Sequence, residues 1–433
     1  MATAGSSWGR YPPARQRLIA LRDRHALLPG FAGTALPHGN GRSYGDVCLN
    51  DAGTLLHTRG LDRFIAFDAA NGMLRCEGGV LLSEILDLVV PQGWFLPVTP
   101  GTKFITVGGA IANDVHGKNH HVAGCFSEHV EGFELLRSDG SRRWCSRGES
   151  PEWFAATTAG LGLTGVITWA ELRLKRVRGP YVNCETHRFH TLAEFFALSA
   201  ASERDYEYTV AWIDCAARGS SLGRGHFIRA NHAPALDGPA RPRRRFAVPF
   251  TPPISLVNGL SLRVFNAAYF HRQRRPVAHG LTHYEPYFYP LDAVGDWNRL
   301  YGPRGFLQYQ CVVPPQDSEK AVAELLQRIA ASGSGSFLAV LKVFGAQRSA
   351  GILSFPRPGT TLALDFPHRG EATLALLQRL DEVVAAAGGA VYPAKDARLS
   401  GAYFRRYFPA WQSMQPYLDP RFSSGFWRRV TEQ

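Results

Sequence analysis

The sequence predicts an α+β protein of two domains, and three observations predict it. The chain has 433 residues, more than one hydrophobic core usually serves. Its first 179 residues mix short strands with glycine-rich loops, whereas the following stretch runs to longer strands and amphipathic helices in segregated blocks. Such blocks suit a mostly antiparallel sheet with flanking helices. Arg178-Gly179-Pro180 punctuates the change. The expected divisions are 1–179, 180–388 and a C-terminal segment, 389–433.

Taken in order, residues 14–28 have helical spacing, with Leu18, Ile19, Leu21 and Leu28 available for a buried face. Three short strands follow at 54–58, 63–68 and 73–77, separated by Gly and Asn turn signals. Residues 81–90 read as a helix on Leu82, Ile85, Leu86 and Val89, stopped by Pro91. Segments 131–137 and 142–145 make a hairpin around Ser138-Asp139-Gly140, and 151–160 a short helix. A strand at 166–177 sets Ala170, Leu172 and Leu174 against Glu171, Arg173 and Lys175, so one face should be wet. Further strands are predicted at 206–215, 306–313, 337–344 and 361–366, with helices at 318–331 and 371–387. The strand–helix–strand units 306–344 and 361–394 read as a degenerate structural repeat.

Composition narrows the class. Hydrophobic residues make up 45% and aromatics 12%, enough for real cores and against disorder. No apolar run approaches the ~18 residues of a transmembrane helix. The N-terminal MATAGSSWGRYPPAR has no apolar core of a secretory signal, so a cytoplasmic or membrane-peripheral location is expected. The seven cysteines are scattered without a CxxC pair and read as free thiols in a reducing compartment. No metal site is expected. The net charge of +12 concentrates at Arg241, Arg243, Arg244, Arg245 and at Arg272, Arg274, Arg275, interleaved with aromatic and apolar residues in a Pro-rich stretch. A solvated basic loop and an anionic membrane surface both account for it; without a recognition motif, nucleic acid does not.

Two loops carry the chemistry. Residues 100–124, PGTKFITVGGAIANDVHGKNHHVAG, hold five glycines, three histidines, two lysines and one carboxylate. That mixture should make a poor helix and a poor long strand, because interior glycine costs about 0.5–1 kcal/mol relative to alanine. What it offers is backbone N–H groups approaching a bound anion. Residues 37–46, PHGNGRSYGD, bring three more glycines, the forked donors of Arg42, and two hydroxyls. Two such loops suit a pyrophosphate clasped from opposite sides. Neither matches a Rossmann fingerprint or a P-loop.

HGNGRSYGD (38–46), the stretch 100–130 and FAATTAGLGLTGVI (154–167) resemble the FAD-binding domain of the vanillyl-alcohol oxidase (PCMH-type) superfamily. Within it, the chain is most similar to the decaprenylphosphoryl-β-D-ribose 2′-oxidase family. The likeness continues through WIDC, YPLDAVGDWNRLYGPRGFLQYQ, SFLAVLKVFG, LDFP and VYPAKDAR, and is weakest over 218–275. It implies that 389–433 returns to the FAD-binding domain.

The resemblance places FAD against Pro37, His38, Gly39, Asn40, Gly41, Arg42, Ser43, Tyr44, Gly45, Asp46 and Val47. In the second loop it implies Gly101, Thr102, Thr106, Val107, Gly108, Gly109, Asn113, Asp114, Val115 and His116, with Ile167 and Tyr392 added from elsewhere. Covalent members carry a flavin-linked histidine where Arg42 stands, so FAD should be non-covalent; His38 is off-register. Lys395 is the candidate base, its pKa depressed by desolvation, or else a charge that stabilises the reduced flavin or the substrate phosphate. His116 is the second catalytic candidate. Lys118, Trp212, Gln308, Gln310, Lys342 and Phe344 match positions near a sugar-phosphate pocket. Three positions depart from the family: Ala363 replaces a reactive cysteine of mycobacterial members, Thr361 an asparagine and Phe288 a tyrosine. Lipid and sugar preference are where these changes act.

The function so implied is oxidation of the 2′-hydroxyl of a polyprenyl-phosphate pentose to a 2-keto sugar. That is the first half of an epimerisation supplying an arabinose donor, completed by a separate NAD(P)H-dependent reductase. An alditol or aldonolactone oxidase acting on a soluble sugar shares the chemistry but needs no lipid. A non-catalytic flavin-bound lipid-phosphate binding protein would hold FAD that no substrate reduces.

Overall fold

The computed structural model describes residues 5–234, 237–239 and 246–432. The basic run Arg241, Arg243, Arg244 and Arg245 lies outside them. Where the spacing of 14–28 predicts a helix, the chain forms a strand, β1 (Arg17–Ala20), and then irregular backbone. Of the four residues of that stripe, Leu21 is buried, Ile19 and Leu28 pack beside it, and Leu18 stays 40% exposed. Pairing satisfies the backbone instead. In a three-stranded parallel sheet, β1 and β2 (Ala35–His38) flank β3 (Thr54–His57).

The following segments are β4 (Phe64–Asp68), β5 (Met73–Glu77), α1 (Leu82–Val89) and β6 (Trp94–Phe95). Helices α2 (Val107–Ala112) and α3 (His120–Ala123) come next, then β7 (Val130–Leu136), β8 (Arg142–Ser146), α4 (Pro151–Thr157), β9 (Val166–Arg173) and β10 (Lys175–Arg176). Strands β4-β5-β9-β7-β8 form an antiparallel sheet in that order, with β7 and β8 as the predicted hairpin. The predicted strand 166–177 breaks at Leu174, whose N–H turns to Gly72 O. The helix α2 corrects the expectation for the glycine-rich stretch. Thr106 caps it through Gly109 N at 3.1 Å, and Val107, Ala110 and Ile111 are fully buried. Capping and burial together outweigh the cost of Gly108 and Gly109.

The rest of the chain builds one eight-stranded antiparallel sheet. Its elements are β11 (Tyr181–Phe189), α5 (Leu192–Ser202), β12 (Tyr208–Ile213), β13 (Gly225–His232), the short β14 (Phe246–Ala247), α6 (Gly259–His271) and β15 (Val277–His283). After α7 (Tyr284–Phe288) and the short β16 (Val294–Gly295) come β17 (Phe306–Val313), α8 (Ser318–Ser332), β18 (Val340–Phe344), β19 (Gly359–Pro367), α9 (Glu371–Ala386) and β20 (Ala390–Val391). The spatial order is β15-β11-β13-β12-β18-β19-β17-β20, and β14 and β16 stand outside it, paired with each other in a parallel two-stranded ladder. Each half is a β-α-β-β-α-β unit with its fourth, first, third and second strands side by side, the ferredoxin-like order. The two halves mirror this order and join where β12 meets β18. The repeat is therefore between 181–283 and 306–391, and the two units read from sequence interleave within its second copy.

Helices α10 (Gly401–Tyr407) and α11 (Gly425–Thr431) end the chain. This segment runs back to the N-terminal sheets: Ala35 N donates to Arg421 O, and Ser423 N to Ala35 O. Arg137 donates to Tyr417 O and Leu418 O at 2.9 and 3.1 Å. One buried cluster contains Leu36 and Leu163 together with Leu307, Leu362 and Val430, so the core is continuous across residues 178–180. All seven cysteines are free.

Candidate active site

A cavity of about 480 Å³ lies between the glycine loops and one face of the eight-stranded sheet. The sheet's contribution follows from the two-residue period of a strand. Val210 and Trp212, Val340 and Lys342, and Gln308 and Gln310 all line the cavity, each pair two residues apart. Strand register sets Trp212 opposite Val340, Val340 opposite Ala363, and Ala363 opposite Gln310, one row across four strands. The next register position pairs Gln308 with Asp365.

The loops form the opposite wall. Gly39 passes so close to the second loop that a Cβ on it would sit 2.4 Å from Thr106 Oγ1. Asn40 Nδ2 donates to Phe104 O at 2.7 Å. The Arg42 guanidinium lies 4.0 Å from the Trp8 ring centroid and 5.6 Å from that of Phe104. The first loop is also locked to the segment carrying Lys395. Tyr44 N donates to Ala394 O at 3.0 Å, and Lys395 Nζ stands 3.9 Å over the Tyr44 ring. Arg429 bridges Asp46 at 2.7 Å and Asp396 at 2.9 Å.

Of the residues the sequence singled out, Pro37, Gly39, Asn40, Gly41, Arg42, Ser43, Tyr44, Val47, Gly101, Thr102, Thr106, Gly108, Gly109, Asn113, Val115, His116, Ile167 and Tyr392 line the cavity. So do Lys118, Trp212, Phe288, Gln308, Gln310, Lys342, Ala363 and Lys395. Seven do not. His38 donates to Cys48 O at 2.9 Å, and Asp46 pairs with Arg429. Gly45 abuts the Asp396 carbonyl, Val107 is core, and Asp114 accepts from Ser354 Oγ at 2.6 Å. Thr361 lies under Gln310, whose amide donates to its hydroxyl at 3.2 Å, and Phe344 packs on His116 and His120 at 4.7 and 4.6 Å. Sequence reasoning missed Trp8, Tyr287, Asp292 and the buried Asp365. Trp8 lies in WGR, Asp292 in YPLDAV and Asp365 in LDFP, but a contact such as Thr102 Oγ1 to Asp292, 190 residues apart in the chain, leaves no local signal.

Electrostatics distinguish this cavity. Burial pushes Lys118 and Lys342 down to about 7, the latter with help from repulsion by Lys118 and Lys395. Burial also lowers Lys395 to about 8, opposed by Asp365. Lys395 presents part of its surface to the cavity. Asp365 is itself pushed up to about 7, although it accepts from Gln308 Nε2 at 2.7 Å and Tyr301 OH at 3.4 Å. Burial holds His116 neutral, well below its ordinary range. Its Nε2 lies 2.9 Å from the Gln310 amide, and its Nδ1 lies 3.3 Å from Lys342 Nζ. A neutral imidazole has one donor and one acceptor; the Gly117 backbone also hydrogen-bonds this ring, so its N–H has an acceptor while the other nitrogen accepts.

The family described as the FAD binding domain matches residues 32–146, the segment holding both glycine loops, and the chain is a FAD-binding oxidoreductase. It is 33% identical to the decaprenylphosphoryl-beta-D-ribose oxidase of Mycolicibacterium smegmatis, over 98% of this chain and 96% of that one. An uncharacterized Streptomyces coelicolor protein is 35% identical over 81% of this chain and 100% of its own. Human delta(24)-sterol reductase is similar over only 25% of the chain and 21% of its own, at 31% identity. The chain belongs to the decaprenylphosphoryl-β-D-ribose oxidase family.

The residues present suit FAD. Arg42 Nε and Asn113 Oδ1 are buried without a hydrogen-bond partner among the described residues, and both residues line the cavity. Orphaned polar atoms there call for a polar ligand. Arg42, at the position where covalent members carry the flavin-linked histidine, is not a nucleophile, His38 does not line the cavity, and both His116 nitrogens have neighbours within hydrogen-bond distance. Acid precipitation of the holoprotein should therefore release all yellow colour to the supernatant; colour kept in the pellet would point to His116.

Proposed function

We propose that the protein oxidises the 2′-hydroxyl of a polyprenyl-phosphate pentose to a 2-keto sugar. The observation that carries this reading is a set of three half-buried lysines lining one cavity. Lys342 lies under repulsion from both Lys118 and Lys395, a cost that a bound phosphate relieves. The name of the Mycolicibacterium smegmatis relative points to the same substrate class. In this reading 1–179 and the returning 389–433 hold the cofactor, and 180–388 presents the sugar.

When bound, FAD supplies the two-electron acceptor for the hydride leaving the substrate carbon. Lys395, unprotonated, accepts the hydroxyl proton, and its place over Tyr44 keeps it at the cofactor loop. Lys118, whose Nζ donates to Tyr287 O and lies 4.3 Å from that ring, holds the phosphate together with Lys342. Gln308 and Gln310 orient the sugar from the sheet. The keto product requires a separate NAD(P)H-dependent reductase to complete an epimerisation towards an arabinose donor.

Anaerobic addition of a polyprenyl-phosphate pentose should bleach the flavin absorption, whereas alditols and aldonolactones should not. Bleaching only by the soluble sugars would overturn the substrate; no bleaching by any would leave a binding protein. The reduction rate should climb with pH through a transition near 8 and level off above it, as Lys395 loses its proton. A rate that instead falls above that pH would make Lys395 a charged stabiliser and not the base.

A further inference from the structure

Between Asp237 and Glu285 the chain has no acidic residue and eight arginines: 241, 243, 244, 245, 263, 272, 274 and 275. The described part of this stretch also holds most of the large apolar side chains left in solvent. Phe246, Phe250, Ile254 and Leu256 are 69%, 67%, 72% and 47% exposed, and Leu260, Val264 and Phe265 are 74%, 62% and 42%. Only five others, Leu18, Leu27, Phe64, Ile65 and Val122, are exposed elsewhere among the described residues. A concentration of this kind marks an interaction surface.

The geometry makes it one surface. Asn258 caps α6 by accepting from Leu260 N and Ser261 N at 3.1 Å, and Ser261 Oγ donates to Leu256 O at 2.9 Å. The loop end is thus folded onto the first turn of the helix. Along α6, Leu262, Asn266 and Phe270 are buried, while Leu260 and Val264, four residues apart, point outward with Arg263 between them. An apolar outward face flanked by arginines is the reverse of a solvated helix. Further along the same helix, Tyr269 packs 4.6 Å from Trp212, and Arg272 lies 3.9 Å over the Tyr269 ring. Tyr269, Arg272 and Trp212 all line the catalytic cavity. The helix that carries the patch therefore also carries part of the cavity wall.

We infer that residues 246–275 dock the protein on an anionic lipid bilayer, with the cavity mouth turned to the membrane. This rests on the polyprenyl-phosphate reading and deepens it: a lipid-tailed sugar reaches the cavity without leaving its bilayer. Charge complementarity selects the occupant. Exposed Arg263, Arg274 and Arg275, with no carboxylate among them, suit anionic headgroups, and the apolar side chains insert at the acyl boundary. A second copy of the chain would bring the same positive charge against itself.

The test is flotation of the full-length holoprotein, without substrate, on vesicles of equimolar phosphatidylglycerol and phosphatidylcholine, and on phosphatidylcholine alone. Binding is expected to the anionic vesicles only, and to weaken with salt. Leu260→Asp/Val264→Asp and, separately, Arg274→Glu/Arg275→Glu should each cut the bound fraction by roughly tenfold with FAD content unchanged. No binding, equal binding to neutral vesicles, or variants that bind like the wild type would overturn the proposal. So would a dimer, measured by light scattering, that the Leu260→Asp/Val264→Asp change dissolves. Flavin bleaching in detergent micelles is scored separately, so a protein that oxidises the lipid substrate but ignores vesicles sinks the docking surface and leaves the function standing.

Discussion

Lys395→Ala is expected to fold, keep its FAD and lose flavin reduction by substrate by about 10²–10⁴-fold, the usual contribution of a general base. The structure separates these roles. Lys395 makes its contact with the face of Tyr44, while the clasp of the two loops runs through Gly39, Thr106, Asn40 and Phe104, which the substitution leaves alone. Arg42→Ala should do the opposite, emptying part of the protein of flavin while sparing the rate in the holoenzyme that remains. Single-turnover stopped flow on FAD-matched samples reads the difference. A wild-type rate in Lys395→Ala would move the base elsewhere, and His116, neutral and in the cavity, would be next.

Gly45→Ala should be the most damaging single methyl in the protein's cofactor region. Gly45 has φ −124°, a value any residue adopts, so backbone strain is not what requires glycine here. Close approach is: an added Cβ would lie 1.8 Å from Asp396 O and 2.9 Å from Ala397 Cα, both backbone atoms. Neither can move without parting the Tyr44–Ala394 hydrogen bond and the Arg429 bridge that hold Lys395 against the flavin loop. Overpacking of this kind costs about 3 kcal/mol at the upper end of its usual range. The purified variant should carry little FAD and melt well below the wild type. Gly30→Ala, with nothing within 4 Å of the new methyl, should change neither property. A fully loaded Gly45→Ala with a wild-type melting point would show that the two segments are not locked.

The same glycine shows how reading and structure part company. From sequence, Gly45 belongs with Gly39 and Gly41 as a backbone that approaches a pyrophosphate. In the fold it approaches the C-terminal segment, and Asp46 beside it is tied to Arg429. The reverse happened at Gly108 and Gly109, where the local cost of glycine predicted no helix. Burial of Val107, Ala110 and Ile111 supplied what propensity withheld.

By itself the sequence determined the α+β class, the two glycine-rich loops and most strand positions from β3 to β19. Those are local properties: periodicity, turn residues and motifs lie within a few residues of one another, and chain sterics act at that range. Tertiary structure alone decided the rest. Residues 17–20 became a strand because β3, more than thirty residues on, offered their backbone a parallel ladder. The row Trp212–Val340–Ala363–Gln310, the placement of Asp365 beside Gln308, and the contact of Lys118 with Tyr287 come from register between segments far apart in the chain. A shift of one residue would turn every one of those side chains to the other face of the sheet, and no local pattern records which register wins.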